Sequence, residues 1–206
     1  EPLGIPLTGR PDADIDAPEA WAQHQDASDV IVAVIDTGVD ISHPDLRDII
    51  WVNAGEIPDN DIDDDGNGYV DDVNGWDFYH DDNTVFDDAV ADDHGTHVAG
   101  TIAAVANNAT GVAGIAWGAR IMPLKFLGPD GGATSDAIRA ITYAAQNGAT
   151  LSNNSWGGGG YSEALRLAIE EAGTLFVAAA GNDALDNDIF PDRKSTRLNS
   201  SHLGIS

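Results

Sequence analysis

The rhythm of its apolar runs most constrains how this chain can fold. "VIVAVI" from Val30, "ARIMPLKFL" from Ala119, "ATLSN" from Ala149 and "TLFVAAA" from Thr174 read as strands with little or no polar alternation. Between them, "GTHVAGTIAAVA", "TSDAIRAITYAAQNGA" and "YSEALRLAIEEAG" read as helices. A strand that is apolar on both sides must be covered on both faces, and alternating helices supply that cover. The pattern predicts an α/β fold with a doubly wound parallel sheet. Helix punctuation agrees: Thr134 stands where an N-cap would, and Asn147-Gly148 and Gly173 are natural stops.

Two stretches break the rhythm. From Asp59 to Asp93 there are 14 Asp and no Lys or Arg. This reads as a long loop excursion, and loops of that length are usually functional or tied down. At the start, "EPLGIPLTGRPDADIDAPEAW" reads as an extended Pro/Asp-rich lead-in. The expected organisation is a lead-in over 1–17, one domain over 18–192, and a tail over 193–206 that is not native to the protein. The tail is set apart by charge: its "RKSTRLNSSHLGIS" holds three basic side chains and no acid, in a chain whose net charge is -26.

That net charge argues against nucleic acid or an anionic membrane as partner, since both would be repelled, and points instead to cations. No apolar run approaches the roughly 18 residues that a membrane span needs. With 0 cysteines, disulfide and thiol chemistry are excluded.

In open α/β sheets, reactive groups gather beyond the carboxyl ends of the strands. Asp36 closes the first strand in "VIDTG", His94 opens the first helix in "DDHGTHVAG", and Asn182 follows the last strand in "AAAGN". Singly each has a plain reading. Asp36 could cap a turn or sit in a phosphate or metal pocket; His94 and His97 could be a helix-start and a packed core histidine, or half of a zinc site; Asn182 could be a turn residue. A zincin helix needs His at i, i+4 beside a Glu base, and neither is present.

Taken together with their flanks, these residues resemble the subtilisin-like serine peptidases. "VIVAVIDTGVDISHPDL" is similar to that family's Asp segment, "HGTHVAGTIAA" to its His segment, and "LSNNSWGG" followed by "FVAAAGND" to its substrate strand and oxyanion segment. The resemblance runs in family order over about 18–192. It implies a serine endopeptidase acting on polypeptides, with His94 as general base, Asp36 as its orienting acid and Asn182 as oxyanion donor. It also implies substrate walls at Ser155, Trp156 and Gly157 and, opposite, at Gly131 and Gly132, while His97 packs structurally. Secretion and a monomeric state are expected on the same ground. The nucleophile of a Gly-Thr-Ser-Met-Ala type motif is not among the 206 residues. The chain as written is therefore expected to be inactive, with a calcium- or peptide-binding module on a peptidase scaffold as the alternative.

"DIDDDGNGYVDD" places Asp61, Asp63, Asp65 and Asp72 at positions 1, 3, 5 and 12 of an EF-hand-like loop, with Gly66 at the sharp turn. Calcium is the expected occupant, and Asp in place of Glu at the last position shortens the reach. The family resemblance alone implies a second calcium site at Asp45 and Asn108.

Overall fold

The computed structural model describes residues 15–158 and 160–182. The lead-in before residue 15 and the expected boundary after Asp192 lie outside the described residues. In chain order the elements are α1 (Ala17–Trp21), β1 (Ile31–Asp36), a 3-10 turn (Arg47–Ile49), β2 (Trp76–Asp77), α2 (Asp93–Ala103), β3 (Arg120–Lys125), α3 (Thr134–Gln146), β4 (Leu151–Asn154), α4 (Glu163–Ala172) and β5 (Leu175–Ala178).

The five strands form one parallel sheet in the order β2-β3-β1-β4-β5. The unbroken apolar character of β1 has a direct cause. Ala33 and Ile35 face a core built with Ala140, Ile141 and Tyr143 of α3 and Leu165 and Ile169 of α4. Val32 and Val34 face the opposite core, built with Ala99 and Ala103 of α2. Both sides of the strand are buried by helices. From β1 the chain runs to the edge strand β2, steps back to β3 beside β1, and then passes β1 to β4 and β5 on the other flank. The carboxyl end of β1 therefore lies at the topological switch point, where ligand sites of open α/β sheets form.

Local expectations were met unevenly. Gly173 does end α4 in the left-handed conformation (φ 66°), and Asn147 caps the end of α3. Thr134 is not an N-cap: it is already the first residue of α3, and Ala133 before it offers no side-chain acceptor. The cap that does form is Ser162, whose Oγ accepts from Leu165 N at 3.2 Å. The end of the lead-in is not extended. Pro18 sits in the first turn of α1, where its missing N–H costs nothing. Trp21 then stacks on Trp117 at 4.6 Å between ring centroids and donates its Nε1–H to Ile115 O at 2.9 Å. His97, expected to pack, is exposed on α2.

Candidate active site

Asp36 is the last residue of β1 and is fully buried. His94 is the second residue of α2, and its imidazole is about half exposed, 52% by side chain. Its Nδ1–H reaches Asp36 Oδ1 at 2.7 Å. The same oxygen accepts from Thr37 N at 2.7 Å, while Asp36 Oδ2 is buried with no partner among the described residues. A carboxylate that accepts from Nδ1 fixes the imidazole tautomer and leaves Nε2 as the basic nitrogen.

The approach of α2 to β1 needs a glycine. A Cβ on Gly95 would collide with the Gly38 carbonyl and crowd the Asp36 side chain. The "HG" of "DDHGTH" is thus the pair that lets the histidine reach the strand-end acid.

The other residues singled out in the sequence surround this pair to different degrees. β3 and β4 flank β1, so the segments that follow them lie on either side of Asp36. After β3, Gly128 and Gly131 exchange backbone hydrogen bonds at 3.0 and 2.9 Å in a tight turn, with Gly132 packed against the Phe126 carbonyl. After β4, Ser155 Oγ accepts from Asn153 Nδ2 at 2.9 Å, and the Trp156 ring lies edge-on to Phe126 at 5.0 Å, with Gly157 next in the chain. Trp156 therefore closes the two segments onto each other. Asn182 is exposed beyond β5, at the same edge of the sheet.

In the acidic excursion, the carboxylates that meet are Glu56, Asp65 and Asp72, with ligand atoms within 4.8 Å of one another. Asp61 and Asp63 lie outside that group. Asp61 is exposed, and Asp63 turns onto its own loop, accepting from the backbone N–H of Gly66 (2.7 Å), Asn67 (3.0 Å) and Gly68 (2.8 Å). Those contacts hold its carboxyl below the usual carboxylate range, the Gly68 N–H contributing most. Asp72 is fully buried and accepts from Asn53 Nδ2 (2.8 Å), Asn67 Nδ2 (2.9 Å) and the Tyr143 hydroxyl. Burial, and then Asp72, push the Tyr143 phenol well above its ordinary pKa. Three carboxylates joined by amide groups form an all-oxygen donor set of the kind a hard cation takes. Glu56 was missed in the sequence because it lies before the Asp-rich run and follows no loop spacing.

At the second expected calcium site the two named residues do meet. Asn108 Nδ2 donates to Asp45 Oδ1 at 2.6 Å, and Val112 N donates to Asp45 Oδ2 at 2.9 Å. A further group, Asp77, His80 and Asp87, also brings its ligand atoms within 4.8 Å, but Lys125 Nζ already lies 3.4 Å from Asp87 Oδ2 and compensates the charge there.

Fold and site together define an α/β protein that presents an Asp–imidazole pair at the carboxyl edge of a parallel sheet. The chain belongs to the subtilase family, whose sequence pattern matches residues 27–201. It is 40% identical over 193 residues to an extracellular protease of Xanthomonas campestris pv. campestris, covering 85% of this chain and 33% of that protein. It is 38% identical over 172 residues to thermitase of Thermoactinomyces vulgaris, covering 82% of this chain and 52% of thermitase. Among solved structures, fervidolysin from Fervidobacterium pennivorans, a keratinolytic enzyme related to subtilisin, superposes with a TM-score of 0.58 at 30% identity, over 81% of this chain and 23% of fervidolysin. The chain thus spans about half or less of the length of each of these proteins. No helix among the described residues is long and apolar enough to cross a membrane.

Proposed function

We propose that these residues form the Asp–His half of a secreted serine endopeptidase that cleaves polypeptides through an acyl-enzyme. The observation that carries this reading is the 2.7 Å contact between His94 Nδ1 and buried Asp36. With Nδ1–H committed to Asp36, Nε2 would take the proton of a serine hydroxyl and later return it to the leaving amine, and the buried carboxylate would stabilise the imidazolium between those steps. Asn182 would donate to the oxyanion, while a substrate backbone would run between Gly131-Gly132 and Ser155-Trp156-Gly157, with an apolar first pocket beside Trp156. The nucleophile would be a serine outside the 206 residues, and this stretch alone would hydrolyse nothing.

Calcium fits as a structural ion. Glu56, Asp65 and Asp72 would hold it, and Asp45 with Asn108 would hold a second. Bound there, calcium would supply charge compensation to an acidic segment that has no Lys or Arg of its own.

A fluorophosphonate probe tests the catalytic reading. The gene product containing these residues should be labelled at a serine beyond them, and His94→Ala should abolish the labelling. Labelling of any serine within the 206 residues would overturn the assignment of the nucleophile. An unlabelled gene product would favour the alternative, a calcium- or peptide-binding module on this scaffold.

A further inference from the structure

Lys125 is the last residue of β3, stands in register with Asp36, and is 1% exposed. Its ammonium meets only oxygens. It donates to Thr37 O at 2.7 Å, pairs with Asp92 Oδ1, and lies 3.4 Å from Asp87 Oδ2. Asp92 is itself fully buried and immediately precedes α2. Its second oxygen accepts from the backbone N–H of Asp87 (2.7 Å) and Asp88 (3.3 Å), and its carbonyl accepts from Thr96 Oγ1 at 3.1 Å. The ammonium therefore ties together the residue after Asp36 and the residue two before His94.

A second strut runs alongside: Gly95 N donates to Thr37 Oγ1 at 3.1 Å. Both fastenings converge on Thr37, whose own N–H shares Asp36 Oδ1 with the imidazole. A shift of α2 relative to β1 would loosen the Thr37 contacts and the Asp36–His94 contact at once. Burying a lysine and a carboxylate together gives little net stability, and removing one partner leaves an uncompensated charge. A hydrophobic pair would fill the space as well. What it could not do is bind the Thr37 carbonyl and the start of α2 at a set separation.

We propose that Lys125 and Asp92 are positioning residues, whose buried ion pair sets the distance and orientation of the His94 imidazole on Asp36. The inference rests on the acid–base role proposed above, but it concerns which residues hold the pair rather than what the pair does.

NMR of the chain as it stands tests it without any need for turnover. In the wild type, the His94 Nδ1 proton should resonate at low field and exchange slowly with water, and Asp36→Asn should remove the signal. Two variants then probe the pair: Asp92→Asn, and Lys125→Met combined with Asp92→Leu, which leaves no buried charge unpaired. Each should accelerate exchange of that proton by about tenfold or more, the scale of a modest local opening, while the α4 amide resonances stay in place. If either folded variant keeps the wild-type exchange rate, the proposal is overturned; should one variant not fold, the other decides. A wild type with no Asp36-dependent low-field signal would refute the acid–base reading itself, an outcome distinct from failure of the positioning role.

Discussion

The sheet and the acidic excursion are held together by opposite means. Around β1 and β3, stability comes from apolar side chains packed from both faces, and the buried charges there have particular partners, Lys125 with Asp92 and Asp36 with His94. Between Val52 and Asp72 little apolar surface is buried, and Val52, Ile57, Ile62 and Val70 are exposed. There the chain is organised by carboxylates accepting from backbone and amide N–H groups, as Glu56 does from Asp64 (2.9 Å), Asp65 (3.1 Å) and Asp71 (3.0 Å). Apolar packing needs no partner beyond the chain, whereas a cluster of like charges carries repulsion that an external cation can relieve. One region should therefore be indifferent to chelators and the other sensitive to them.

The largest effect is expected on the sheet side. Leu124→Ala, at a position with 0% exposure in β3, should destabilise by about 2–5 kcal/mol in urea unfolding, equally with and without calcium. A loss that differed with and without calcium would break the contrast. On the acidic side, calcium at about 100 times its Kd should add about 2.7 kcal/mol, so EDTA should lower the melting temperature by several degrees. Glu56→Gln should remove most of that response, and an unchanged melt in a folded sample would eliminate the metal. Ser162→Ala removes the cap of α4 and should cost about 1 kcal/mol by thermal unfolding.

The smallest effect is a pH dependence where the two regions meet. His80 Nδ1 bonds to Asp77 at 2.7 Å, and this contact raises the pKa of His80 above its ordinary value. Burial likewise raises the Asp77 carboxyl. A raised histidine pKa stabilises the fold fully below about pH 6.5, and the contribution is lost as pH rises through the folded value. Because His80 is almost half exposed, solvent screening keeps the effect small. Melting curves across about pH 6 to 8 should fall less steeply with rising pH for His80→Gln than for the wild type.

Much of this was legible in the sequence, and the residues that were not share a cause. The four long strands, the helices behind them and the places of Asp36 at a strand end and His94 at a helix start follow from patterns within a few residues of one another, whereas β2 lies inside the stretch expected to be a loop. α1 was hidden because its anchor, Trp117, lies 96 positions from Trp21. Lys125 carries no local signal of its surroundings, because the residues that close around it, Thr37 and Asp92, lie 88 and 33 positions away.

The sequence alone determined the doubly wound parallel architecture and the order in which acid, histidine and asparagine reach one edge of the sheet, because hydrophobic period and element order are local properties of the chain. Tertiary structure alone decided which of the 14 Asp in the excursion converge, that Glu56 joins them, and that Lys125 spans from β1 to α2. Like charges are indistinguishable along a sequence, and only folding determines which of them lie within reach of one another.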